Sequence, residues 1–171
     1  MGAGHQRRCI RLLQLLDLAE RPEDLNVAGL RFHSLHGKPA RWSLRVSGNY
    51  RMTSAGSTPI PERLILRTIT KTNGLPPVHP GEVLREDVLP ETGLSVASAA
   101  KALGISRQML HDILAERKPL SAAMCLKLSK LFGSSPEMWM RLQAAYDLKK
   151  AAQDKRVMEG VARIVPIQSN L

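Results

Sequence analysis

Apolar positions recur at helical spacing at both ends of this chain, with a strand-like alternation between them. In residues 7–20, Leu12, Leu15, Leu16 and Ala19 fall on one face. Arg7, Arg8, Arg11 and Gln14 fall more to the other, which predicts an amphipathic helix closed by Pro22. Residues 30–35 read as a short strand. Trp42, Leu44 and Val46 then alternate with Ser43, Arg45 and Ser47 at a period of two. Ser47-Gly48-Asn49 is a turn signal, because Gly and Asn tolerate positive φ, and residues 50–53 read as the returning strand of a hairpin. At Ser54 the pattern stops. Gly56, Pro59, Pro61, Pro76 and Pro77 punctuate residues 54–78, which read as a linker or poorly ordered join.

Beyond Pro80 the chain reads as all-helical. Residues 81–89 form a first helix ended by Pro90. Ser95 caps a second to Leu103, Ser106 a third to about Glu116, and Ser121 a fourth to Phe132, with Gly133 as its stop. Ser135-Pro136-Glu137 opens a fifth: a cap, a fixed φ at the first helical position and an acid in the first turn. That helix is expected to run to about Arg156. The expected fold class is mainly α, a five-helix domain over residues 79–156 with a tail over 157–171. A small, incomplete α+β segment over residues 1–53 precedes it.

Residues 96–114 satisfy the packing demands of a helix-turn-helix, in which two helices cross steeply over a very short turn. Ala100 is small midway along the first helix, where close approach requires it. Gly104 supplies the positive φ of the turn. Ala99, Leu103, Ile105, Leu110 and Ile113 are apolar at the five positions that must point between the helices. The outward positions of the second helix are polar. Arg107 and Gln108 sit at its N-terminus, where a recognition helix enters the major groove. Arginine takes guanine O6 and N7, and glutamine takes adenine N6 and N7. These two are the first candidates for base reading, with His111 and Asp112 next. Asp112 either accepts from a cytosine amino group or caps and pairs locally. Ser95, Lys101, Ser106, Lys118 and Ser121 are candidate phosphate contacts, since helix N-termini, lysines and serines hold a protein on the DNA backbone; ordinary caps and solvated charges would look the same.

Charge sharpens this picture and complicates it. The 171 residues carry 25 Lys and Arg against 15 Asp and Glu, a net +10, which favours a polyanionic partner. Residues 1–72 hold 12 of the cations and 5 of the acids, so the more basic part is not the one with the DNA motif. Aromatics make up 4%, leaving the core to Leu, Ile, Val, Met and Ala. Cys9 and Cys125 form no framework, so a reducing cytoplasm is expected. The apolar run at residues 10–19 is broken by Arg11, Gln14 and Asp17, too interrupted for a leader or a membrane span.

Three stretches in order carry a resemblance: Pro77-Val78-His79-Pro80-Gly81-Glu82-Val83-Leu84-Arg85-Glu86, then residues 99–108, then Trp139-Met140-Arg141-Leu142-Gln143-Ala144-Ala145-Tyr146-Asp147-Leu148. Residues 76–150 resemble the HigA-type antitoxins of the Cro/repressor-like helix-turn-helix group. The resemblance implies a homodimer on a palindromic operator DNA, repression of its own promoter, and a HigB-type toxin as partner. Residues 30–37 and 42–53 look like the middle of such a toxin, a small RelE-like ribonuclease that cuts messenger RNA on the ribosome. That likeness implies a basic surface and accounts for the charge of residues 1–72. It departs at both ends: the family opens with a strand before the helix, and it continues past Thr53 into an acidic, aromatic and histidine-containing terminus. Residues 54–70 hold no His, Tyr or Asp. The expectation is a truncated toxin reading into its antitoxin through a frameshift near codon 53.

Three other readings compete. An active ribonuclease would draw on His33, His36, Lys38, Arg41, Arg45 and Arg51, but the acid and base groups that cleavage needs are missing. A metal site would draw on His5, His33, His36, His79 and His111. No set of four ligands is spaced for one, and no cofactor, metal or catalytic set is expected. A plain repressor without a toxin link differs from the antitoxin only through the resemblance. A stripe of Met138, Trp139, Leu142, Tyr146 and Lys149 on the fifth helix is either core or, where exposed, a dimer contact.

Overall fold

The computed structural model describes residues 3–35, 41–45, 51–53 and 75–165. Helix α1 (Ala3–Leu18) buries the stripe of Leu12, Leu15 and Leu16, with Ala19 just past its end. A 3-10 turn follows at Pro22–Leu25. The Asp24 carboxylate closes it by accepting from the Glu20 N–H at 2.9 Å. Strands β1 (His33–Leu35), β2 (Arg41–Arg45) and β3 (Arg51–Thr53) form an antiparallel sheet in the order β1-β2-β3. Its register pairs Ser34 with Trp42 and Leu44 with Met52. The strand expected over residues 30–35 starts three residues late, because Leu30 is buried in the core instead. The alternation does not sort β2 into a wet and a dry face: Ser43 is buried alongside Leu44. The turn expected at residues 47–49, and residues 54–74 of the expected join, lie outside the described residues. Residues 75–78 of that join are packed, with the Val78 N–H donating to the Gln14 side chain at 3.1 Å.

Helix α2 is assembled from Pro80–Val83, a π turn at Leu84–Val88, and Leu89–Thr92. It therefore runs past Pro90, which was expected to end it. A proline lacks an N–H and crowds the carbonyl four residues back. The π turn lies just ahead of Pro90: the Leu89 N–H donates to the Leu84 carbonyl, five residues back, so the helix has left the α register where the ring enters. Helices α3 (Val96–Leu103), α4 (Arg107–Leu114) and α5 (Ala122–Phe132) follow, each opened by its serine. Helix α6 (Pro136–Gln153) stops at Asp154, whose carboxylate caps a separate α7 (Lys155–Ala162) by accepting from the Arg156 N–H at 2.9 Å. The expected fifth helix is thus two, and the described residues hold seven helices instead of one helix before a five-helix domain.

One apolar core joins α1 to α2–α6. Leu12, Leu15, Leu25 and Leu30 enter it with Val83, Leu84, Leu110, Leu128 and Trp139. Charge crosses the same seam. Arg11, 5% exposed, donates to Asp87, 0% exposed, at 2.6 and 3.2 Å, and to Glu82 at 3.1 Å. Arg7 also holds Glu82, and Arg8 lies 3.4 Å from Asp87. At the far end of α1, Arg141 donates to the Leu18 carbonyl at 2.8 Å and to Asp24 at 2.6 Å. Backbones meet here too. The Ala28 N–H donates to the Phe132 carbonyl at 2.8 Å, and Val27 pairs with Gly133. A β-carbon on Gly29 would lie 2.0 Å from the Asp87 carbonyl oxygen, and one on Gly133 2.4 Å from that of Asn26.

Candidate nucleic-acid interface

Helices α3 and α4 are joined by Gly104, Ile105 and Ser106. Ser95 opens α3, its Oγ accepting from the Ser98 N–H at 3.1 Å. Gly104 closes it in the left-handed conformation, φ 62°. There is room for a β-carbon at Gly104, whose nearest neighbour would be the Lys127 amine at 3.9 Å, so it is the dihedral that favours glycine. Lys127 donates to the Gly104 carbonyl at 3.2 Å and ties α5 to the turn. Ser106 opens α4 by accepting from the Met109 N–H at 3.1 Å. Ala99, Ala100, Leu103, Leu110 and Ile113 are buried between the helices, and Ile105 is half-buried against the same core.

Two supports of this unit lay outside the sequence reading. Gly81, at the start of α2, stands where a β-carbon would be 1.9 Å from the Ile113 carbonyl oxygen, so α2 seats directly on the end of α4. The available signal was a glycine one residue inside a proline-led helix, where no turn needs it. Gln143 of α6 is 4% exposed and accepts from the Leu120 N–H at 2.9 Å, holding the loop between α4 and α5. The histidines among the described residues do not converge. His79 is buried as the cap of α2, accepting from the Gly81 N–H at 2.9 Å and meeting the Tyr146 ring edge-on at 4.7 Å. His111 lies exposed on α4. Met138, Trp139 and Leu142 of the stripe on the fifth helix are core, while Tyr146 and Lys149 further along it are half-buried.

On the outer side, Arg107 and Gln108 are exposed at the N-terminus of α4, with His111 and Asp112 one turn further along the same face. The Arg107 side chain makes no hydrogen bond or ion pair among the described residues, and neither does that of Lys101 on α3. Asp112 accepts from Gln108 Nε2 at 3.0 Å and from Arg117 Nη2 at 2.6 Å, and Lys118 stands 3.5 Å away. The Arg117 hydrogen bond, followed by that from Gln108, holds the Asp112 carboxyl below the usual carboxylate range. The hydroxyl oxygens of Ser95, Ser106 and Ser121 serve as helix caps, the last accepting from the Met124 N–H at 3.3 Å. Arg117, absent from the sequence reading, is thus part of this surface. Nothing in the local pattern marks it, because it lies past the end of α4.

A glycine turn between two serine-capped helices, supported from behind and polar in front, defines a helix-turn-helix protein. A helix-turn-helix family model matches residues 84–139. Virulence-associated protein I of Dichelobacter nodosus is 39% identical over 98 residues, covering 57% of this chain and 88% of that protein. Antitoxin HigA-1 of Vibrio cholerae is 32% identical over 72 residues, 42% of this chain and 68% of that one. The solved structure of antitoxin GraA in complex with its operator superposes with a TM-score of 0.52 and 40% identity, over 57% of this chain and 97% of that one. The chain belongs to this family of HigA-like helix-turn-helix antitoxins and transcriptional regulators.

Proposed function

We propose that this protein is an operator-binding autorepressor of the antitoxin type, reading bases from the N-terminus of α4. The observation that carries the reading is Arg107 and Gln108 side by side, exposed, on a helix that Ser106, Gly81 and the Ile113 contact hold rigidly. Lys101 on α3 and the serine-capped N-termini of α3 and α5 are the kinds of group that seat a protein on phosphate. The relative solved with its operator supports DNA as the partner. The expected test outcome is tight, salt-sensitive binding to its own upstream DNA in a gel shift, lost in an Arg107→Ala/Gln108→Ala variant. Undiminished binding by that variant would move the reading face elsewhere.

The functional unit in this reading is a homodimer. Its support is α7, where Val157, Met158 and Val161 are exposed, followed by Ile164 and Val165, which are more exposed still. Residues 1–53 are the inactive remnant of a HigB-like toxin. The helix followed by three antiparallel strands fits that likeness, and the pairing of Arg7, Arg8 and Arg11 with Glu82 and Asp87 neutralises three cations that an RNA-binding face would use. Messenger-RNA cleavage by the purified protein would overturn the inactive reading. A toxin-like peptide in an alternative frame of codons 54–70 is the expected trace of the frameshift.

A further inference from the structure

We infer that Asp112 is a positioning residue, and that the Arg117 it holds is a further specificity-determining residue of the operator interface. This rests on the operator reading above. Helix α4 ends at Leu114, and Glu116 then takes the left-handed conformation, φ 61°. The reversal brings the Arg117 and Lys118 N–H groups to the Asp112 carbonyl, at 2.9 and 3.3 Å. The Arg117 side chain therefore runs back along α4. Its Nη2 and Nε donate to Asp112 Oδ1 at 2.6 and 3.1 Å, and its Nη2 lies 3.1 Å from His111 Nδ1. A guanidinium only donates, so Nδ1 accepts and the ring proton sits on Nε2. Half of the Arg117 side chain stays exposed, and its Nη1 donates to nothing among the described residues.

The Asp112 carboxylate is committed to the protein. Gln108 and Arg117 share Oδ1, and Lys118 faces Oδ2. A cytosine amino group would have to displace them, which resolves the two roles the sequence leaves open. What Asp112 does instead is orient the Gln108 amide. With one N–H given to Asp112, the second N–H and the carbonyl remain for adenine N7 and N6. The reverse amide orientation would set oxygen against oxygen. Two cations around one carboxylate also keep this patch net positive towards phosphate.

The test compares affinity for the protein's own upstream DNA with affinity for a scrambled duplex of equal length. Asp112→Ala removes both the negative charge and the acceptor oxygen that holds Gln108 and Arg117, so binding to the scrambled duplex should hold or tighten. Preference for the operator should nevertheless fall about tenfold, the scale of one lost bidentate base contact. Arg117→Ala should lower the preference similarly, and the double variant should be no worse than either single one. Single-base-pair operator changes should lose their effect at overlapping positions in the two variants. If Asp112→Ala tightens both duplexes by one factor, Asp112 is merely a repulsive charge and the inference fails. If Arg117→Ala keeps the full preference while Arg107→Ala/Gln108→Ala loses it, this inference fails and the operator reading stands. If the unaltered protein prefers neither duplex, both fall.

Discussion

Gly81 occupies a position where the backbone of another helix takes the place of a side chain. Its β-carbon would overlap the Ile113 carbonyl, which cannot move without shifting the end of α4. Gly81→Ala is therefore expected to cost roughly 3 kcal/mol, measured by urea denaturation, and to weaken DNA binding through displacement of α4. Arg11 is the opposite case, a long charged side chain whose removal exposes a debt. Truncation to alanine leaves Asp87 and Glu82 buried without their shared cation. Arg11→Ala is expected to destabilise by about 3–5 kcal/mol in the same measurement. Asp154→Ala, which removes an exposed cap from α7, should cost only about 1 kcal/mol.

At the scale of elements, the two ends of the helical part differ in kind. Helices α3 to α6 each bury an apolar face, and their lengths follow from caps and stops within the sequence. Helix α7 has no buried residue among the described residues, and its exposed valines and methionine sit at helical spacing. A helix of eight residues is marginal in water without packing. In the proposed homodimer, pairing with a second copy would give that apolar face a place to go. Val161→Asp is expected to weaken the dimer at least about tenfold, by setting a charge into an apolar contact, as read by sedimentation equilibrium. Operator affinity should fall with it, while folding of the monomer is spared.

At the scale of the molecule, the segment before α2 is bound to the rest through both apolar and ionic contacts, so unfolding should respond to acid. Burial pushes the His79 pKa down, only partly offset by Glu116, Asp147 and Glu82. The unfolded chain takes up this proton near pH 6.5 and the folded one only below that. Stability should therefore decline as pH falls below about 6.5. Asp24 behaves differently. Burial pushes its carboxyl up, but hydrogen bonds from Ser135 and Glu20 and the Arg141 charge outweigh this and hold it below the usual range. Its contribution is complete above about pH 4 and is lost on further acidification. Urea midpoints against pH should show both steps. His79→Asn, which keeps a cap, should remove the upper one, and Asp24→Asn the lower.

Serine caps, a left-handed glycine and apolar spacing are local instructions, acting within a turn or two of chain. That is why α3 to α5, the Gly104 turn and the inward positions from Ala99 to Ile113 could be read from the residues alone. The hairpin order of the strands was legible for the same reason. The partners of charges are not local. Arg7, Arg8 and Arg11 look like one more solvated basic face until α2 brings Glu82 and Asp87 against them, some seventy residues away. Pro90 reads as a stop because its ring clashes with an α-helical carbonyl, and the π turn that admits it has no sequence signature. Arg117 joins the outer face of α4 only because the chain reverses at Glu116. Long-range packing made each of these choices: it selected which acid meets which arginine, and where a backbone needed room.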